Sequence, residues 1–190
     1  VEQDMDLKGQ LLVAMPSMGD PRFEHAVIYL CAHGEDGAMG LIVNKPMEDV
    51  TMGDIWAQLE LEAHPDARSA PVFYGGPVEV TRGFVLHSDE YTSALQTVDV
   101  GGGFGMTATQ DILENMGRGM GPLRGKMALG YAGWGPGQLE QEIGQNGWIT
   151  MAADPDLVFG AVGAAGDVWH RALKQIGIDA ITLSGAAGRA

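Results

Sequence analysis

Basic residues are scarce in this chain of 190 residues. Eleven Lys and Arg stand against twenty-five Asp and Glu, a formal charge of −14. A polyanion is held by Lys and Arg that displace its counterions, so such a surface repels nucleic acid and anionic membranes. The basic residues are scattered and gather into no stripe; direct DNA binding is not expected. Cysteine occurs once, at Cys31, which excludes an intrachain disulfide and fits a reducing cytosol. No apolar run reaches the roughly 18–20 residues of a membrane span, and the acidic stretch Val1 to Asp6 has no basic n-region. Neither anchor nor signal peptide is expected, and the expected location is the cytoplasm. The spacings C-x-x-C and H-E-x-x-H are absent, as are G-x-x-x-x-G-K-[ST] and G-x-G-x-x-G, so no metal and no cofactor are expected. Ser17, Ser88 and Ser93 lack the G-x-S-x-G context of a nucleophile elbow.

What is present is organised around Phe23 to Pro46, FEHAVIYLCAHGEDGAMGLIVNKP. Ala26 to Ala32 is uninterrupted apolar sequence, and Ala38 to Val43 is broken only by Gly40. His33-Gly-Glu-Asp-Gly37 between them carries hairpin chemistry. Strands apolar on both faces belong inside a sheet, so this hairpin is expected to found the core. Ile28, Leu30, Leu41, Val43, Phe84 and Leu86 are expected to share it. The length suits one domain over 1–190, with 1–6 and 184–190 frayed.

Further strands are predicted at Gln10–Met15, Val72–Tyr74, Gly83–His87, Met127–Ala132 and Trp148–Met151. Met52, Ile55, Trp56 and Leu59 fall on one helical face after a capping Thr51. A second helix is predicted over Gln110–Met116, with Thr107 and Gln110 as a capping box. A third follows the turn Gly133-Trp-Gly-Pro-Gly137. Asp154-Pro155 opens a short helix through Phe159, and Asp167 to Ile176 forms the last, closed by Gly177. Hairpin-like neighbours dominate and helices close the chain, which predicts an α+β fold with a mainly antiparallel or mixed sheet.

Several constellations are candidates for chemistry. Cys31 and His33 are two apart, so on a strand they share a face, where His87 would complete a thiolate–imidazole or metal site. The competing reading makes Cys31 a small core residue and His33 the polar end of a strand. Gly133 to Gln138 leads into a helix whose first N–H groups lack intrahelical acceptors. Trp134 there would stack on a ligand or partner, with Gly135, Gly137 and Gln138 beside it; alternatively, Trp134 is core and Glu140 caps the helix. Tyr74-Gly-Gly-Pro-Val78 would either bring backbone N–H groups to a ligand or form a turn where two chains pass closely, the latter being the favoured reading. Met15, Met18 and Met39 would line an adaptable surface.

Taken in order, these pieces resemble the YqgE/AlgH family of bacterial proteins. The likeness runs from LKGQLLVAMPSMGDPRFEHAVIYLCAHGEDGAMGLIVNKP through VFYGGPV, RGFVLH and the Thr107–Leu113 segment to GYAGWGPGQLEQE, Asn146-Gly-Trp148, Trp169 and Gly177. The resemblance implies an α+β fold with a branched, partly barrel-like sheet flanked by helices. Its motifs bring in Asn44 and His87 as candidate ligand-binding residues with the Gly133–Gln138 turn, and no catalytic residue. Some members are called transcriptional regulators through a link to alginate synthesis. The function expected from residues and resemblance together is a noncatalytic binding or regulatory module with an unknown protein or small-molecule partner. The alternatives are an enzyme or small-anion or nucleotide binder using the glycine turns, and a regulator acting without DNA contact.

Overall fold

The computed structural model describes residues 6–160 and 167–177; the fraying expected at 1–6 and 184–190 lies outside them save for Asp6. Strands and helices follow in the order β1 Gln10–Ala14, β2 Val27–Gly34, β3 Gly37–Ile42, β4 Pro46–Thr51, α1 Met52–Gln58, β5 Pro71–Tyr74, β6 Val78–Ser88, β7 Val98–Gly101, β8 Phe104–Thr107, α2 Gln110–Gly117, β9 Gly125–Trp134, α3 Gln138–Gly144, β10 Trp148–Ala152, α4 Pro155–Phe159 and α5 Val168–Gln175. The class is α+β. The strands run β10-β1-β2-β3-β9-β6-β8-β7, and β4 and β5 branch from β9. All pairings are antiparallel except β5 with β9, and the sheet curls into a half-barrel.

The central hairpin forms as its sequence dictates. Gly34 pairs with Gly37 and leaves Glu35-Asp36 as the two-residue tip. Both faces of β1, β2 and β3 are covered. Leu11, Val13, Val27, Tyr29, Leu41, Val43, Phe84 and Leu86 face one core, closed by Leu157, Trp169 and Leu173 of α4 and α5. Leu12, Ile28, Leu30, Ile42, Trp134, Leu139 and Trp148 form a second on the other face. The six residues expected in one core are all buried, but Ile28 and Leu30 belong to the second because alternate strand residues point oppositely. A third cluster, around Met52, Trp56, Val85, Ile112 and Met127, lies under α1 and α2.

β9 is the strand that joins the branches. Val72–Tyr74 runs parallel along it and Gly83–His87 antiparallel, while Ala38–Gly40 takes its far end. A close crossing permits this. A Cβ on Gly76 would sit 2.1 Å from the Tyr131 carbonyl carbon, so only glycine fits where Tyr74-Gly-Gly-Pro-Val78 passes over β9.

Caps fall where short-range chemistry places them, with one exception. Thr51 and Asp54 form a capping box on α1, and the Asp154 and Asp167 side chains accept from Asp156 and His170 N–H at the starts of α4 and α5. The box expected from Thr107 and Gln110 does not form. Thr107 is the last residue of β8, buried and bonded to His87, and Thr109 is the N-cap of α2. Pro46 opens β4, an edge strand that the alternation in sequence does not announce.

Candidate functional site

The turn after β9 is closed on itself. Gly133 and Trp134 still belong to the strand, which leaves Gly135–Gly137 as the turn proper. Gly137 adopts φ 74° as the N-cap of α3, a conformation that favours glycine. The Gln138 Oε1 accepts from the Gly135 N–H at 3.0 Å, so this amide already has a partner. Trp134 does not stand out from the turn. It is 7% exposed, edge-on to Trp148 at 6.2 Å between centroids, and packed with Leu139. Aromatic area of this size gains more from the core than from solvent. The Glu140 side chain turns to its own N–H in the first turn of α3 and to His33.

That contact fixes the role of His33. Its Nδ1 accepts from the Leu7 N–H at 3.1 Å, so the ring proton sits on Nε2 and is donated to Glu140 Oε1 at 2.5 Å. The Glu140 backbone N–H and the His33 ring hold its carboxyl below the usual range. A carboxylate–histidine pair serves a nucleophile only through the second ring nitrogen. Here that nitrogen is taken by backbone, and the pair ties the Leu7 segment to α3.

Cys31, His33 and His87 do not meet. A bulge between Leu30 and Ala32 adds one residue to β2, so Cys31 remains in the first core while His33 turns to the face of Trp134. Burial pushes the Cys31 thiol up to about 12. Among the described residues no three His, Cys, Asp or Glu side chains are grouped to hold a metal.

Asn44 and His87 lie in separate places. The Asn44 Oδ1 accepts from Val27 N–H at 2.9 Å and its Nδ2 donates to the His25 carbonyl at 2.8 Å, which clamps the start of β2 to the end of β3. His87 is fully buried. Its Nδ1–H donates to the Ser88 carbonyl at 2.8 Å, and its Nε2 accepts from the Thr107 hydroxyl at 2.8 Å. Thr97 Oγ1 in turn bonds Thr107 Oγ1 at 2.7 Å and accepts from Ser93 N–H. Ser93 and Thr109 both donate to Asp111, at 2.5 Å each. His87 is thus the inner end of a hydroxyl chain that folds the segment after β6. It pairs with Gly125, nine residues from Trp134 along β9, roughly 30 Å at strand spacing.

The sequence reading gave no role to Thr97, Asp111 and Lys126, and it did not connect Ser93 or Thr107 to His87. Alternation in Thr107-Ala-Thr109-Gln-Asp111 was the available signal for the hydroxyl chain. Lys126 is a lone cation in the small-residue strand GKMALG. Its Nζ donates to the Val43 carbonyl at 2.6 Å and lies 4.6 Å from the Phe73 ring centroid; burial brings it down to about 8.

A shallow groove of about 830 Å³ lies at the open end of the first core. Its floor is Met39, Phe84, Met106 and Tyr131, with Glu35 and Asp36 of the hairpin tip on one wall and Arg82 on another. Arg82 is drawn onto Phe84, 5.0 Å from the ring centroid. Of the three methionines expected on a surface, Met39 is here, whereas Met18 packs against the second core and Met15 does not line the groove.

The AlgH-like family model matches residues 11–181. The chain belongs to this family. A UPF0301 protein of Ruegeria pomeroyi is 59% identical over 187 residues, covering 98% of this chain and all of the relative. One from Cereibacter sphaeroides is 53% identical over 186 residues, covering 98% of this chain and all of that relative. Among solved structures, the AlgH protein of Pseudomonas aeruginosa superimposes with a TM-score of 0.76 at 36% identity, covering 97% of this chain and 96% of that one. A Corynebacterium diphtheriae protein at 22% identity, TM-score 0.69, shares the fold over 92% of this chain and 90% of its own. As an AlgH-like protein the chain belongs to an uncharacterised bacterial family, and no helix among the described residues is long and apolar enough to cross a membrane.

Proposed function

We propose that this AlgH-like chain is a noncatalytic binding module that takes an extended apolar segment of a partner protein, bearing a basic side chain, into the groove beside the hairpin tip. The observation that carries this reading is the groove itself: a floor of Met39, Phe84, Met106 and Tyr131 under the acidic pair Glu35 and Asp36. Two methionines give that floor adaptable packing, and the carboxylates favour a cation at the rim. His33, which lines the groove and is paired with Glu140, has both ring nitrogens occupied, which favours binding over chemistry. The enzyme and anion readings draw no support from the Gly135–Gly137 turn, whose first amide Gln138 already fills.

Any influence on transcription then runs through protein contact. Of the three residues that could form a local basic patch, Arg124 is paired with Asp156 at 2.7 Å and Lys126 points inward, leaving Arg118. Fluorescence polarisation with labelled apolar peptides flanked by Lys or by Glu tests the groove. The lysine-flanked peptide is expected to bind, with at least tenfold loss in Met106→Glu and in the double variant Glu35→Lys, Asp36→Lys. Equal affinity for both peptides, or binding indifferent to these changes, overturns the reading.

A further inference from the structure

A second concavity lies on the opposite side of the sheet, between α1, α2 and the strands β6 and β9. It measures about 220 Å³. Its floor is Val85, Ile112, Leu113 and Met127, all at most 7% exposed. The Met127 thioether crosses β6 at Gly83: a Cβ there would lie 2.4 Å from the Met127 Cε. The missing side chain at 83 therefore lets Met127 lie flat as the base of the cleft. At the mouth stand Leu59 and Ala108, with Gln58, Thr81 and Gln110.

Two features define what would fit. First, no charged side chain lines the cleft, in a chain where charged residues make up 19%. The hydroxyls of Thr107 and Thr109 face it but are already committed to His87 and Asp111. An anion would meet no cation here, and an ammonium group would have no carboxylate to pair with, because Asp111 does not line the cleft and its oxygens are taken by the Ser93 and Thr109 hydroxyls. Second, the polar groups that remain are neutral and sit at the mouth, above an apolar floor. A dry cavity of about 150 Å³ holds benzene, so this volume suits about eight to ten non-hydrogen atoms. Small-molecule sites combine an apolar wall with a few polar groups in this way.

We propose that the cleft between α1 and α2 binds a small neutral amphiphile, its apolar body on Met127, Val85 and Ile112 and its single hydrogen-bonding end among Gln58, Thr81 and Gln110. The site is separate from the groove of the hairpin tip, and neither proposal depends on the other. Benzyl alcohol, benzoate and benzylammonium offer one body with three charges. The full chain carrying ¹³C-methyl methionine is titrated with each and followed by NMR. Benzyl alcohol is expected to shift the Met127 methyl saturably, with both ions at least tenfold weaker. Ala108→Phe, at an exposed position of the mouth, is expected to weaken benzyl alcohol at least tenfold while the other methionine signals stay in place. Should that variant lose the native spectrum, Leu59→Trp on the facing wall gives the same test. No saturable Met127 shift with benzyl alcohol, equal binding of the three probes, or unaltered binding in the variant that keeps its fold overturns the proposal.

Discussion

Lys126 is the residue at which charge and burial conflict most openly. Its ammonium has one carbonyl and one aromatic face for company and no carboxylate. Burial lowers its folded value to about 8, below the ordinary 10.5. The unfolded chain therefore binds more protons between these two values, and the Lys126 contribution to stability rises as pH climbs from about 8 to 10.5. Cys31 works the other way, since its raised thiol favours the folded state less above its ordinary value of 9.0. Comparison with Lys126→Met isolates the lysine. The variant is expected to gain on the order of 1 kcal/mol at pH 7, as buried ions replaced by apolar side chains often do, and the gain should vanish towards pH 10.5. Urea denaturation at a series of pH values measures it; a gap between parent and variant that does not change with pH refutes the assignment. Residues whose chemistry is local were legible: Thr51 with Asp54 and Asp154 before Pro155 act within three positions. Thr107 was not, because its partners, Thr97 and His87, lie on other elements.

At the scale of elements, the segment between β6 and β7 is held by side chains more than by its own backbone. Asp111 accepts from the Ser93 and Thr109 hydroxyls, and Ser93 Oγ in turn accepts from the Leu95 and Gln96 amides. Burial alone would raise its carboxyl, but these bonds outweigh burial and leave it below the ordinary 3.8. Asp111→Ala leaves the Ser93 hydroxyl without its acceptor, and the expected loss is about 1–3 kcal/mol. Hydrogen exchange should quicken across residues 89–97 while β2 and β3 stay protected; unchanged exchange there would show that the pin is elsewhere. Element existence was readable wherever apolar residues were dense, as in β2, β3 and α5. The start of β6 was not, because Val78 to Arg82 is exposed and bulges away from β9 between Val78 and Gly83. Nor was the bulge at Cys31, since no residue type demands it, and it alone moves His33 to the other face.

Across the whole molecule, two cores share one set of strands, and a charge in that set damages both. Leu41→Asp places a carboxylate at a fully buried position beside Tyr29 and is expected to cost more than about 4 kcal/mol, enough to unfold a chain of this size. Circular dichroism checks it, and an unshifted melting curve would contradict the packing described here. The α+β class followed from the order of patterns, but the sheet order did not, because patterns along the chain say nothing of which distant strand is a neighbour. β1 is closed on one side by β2 and on the other by β10, with Gln10 opposite Ala152, and the Trp169 indole then donates to the Ala14 carbonyl at 2.7 Å. The consequence is one of time. During synthesis β1 stays half-paired until β10 is made, so completion of that part of the sheet waits on a pairing between strands remote in sequence. Folding dominated by such remote pairings is slow, in the range of milliseconds to seconds. Until β10 arrives, an apolar edge stands open to whatever other strand is near.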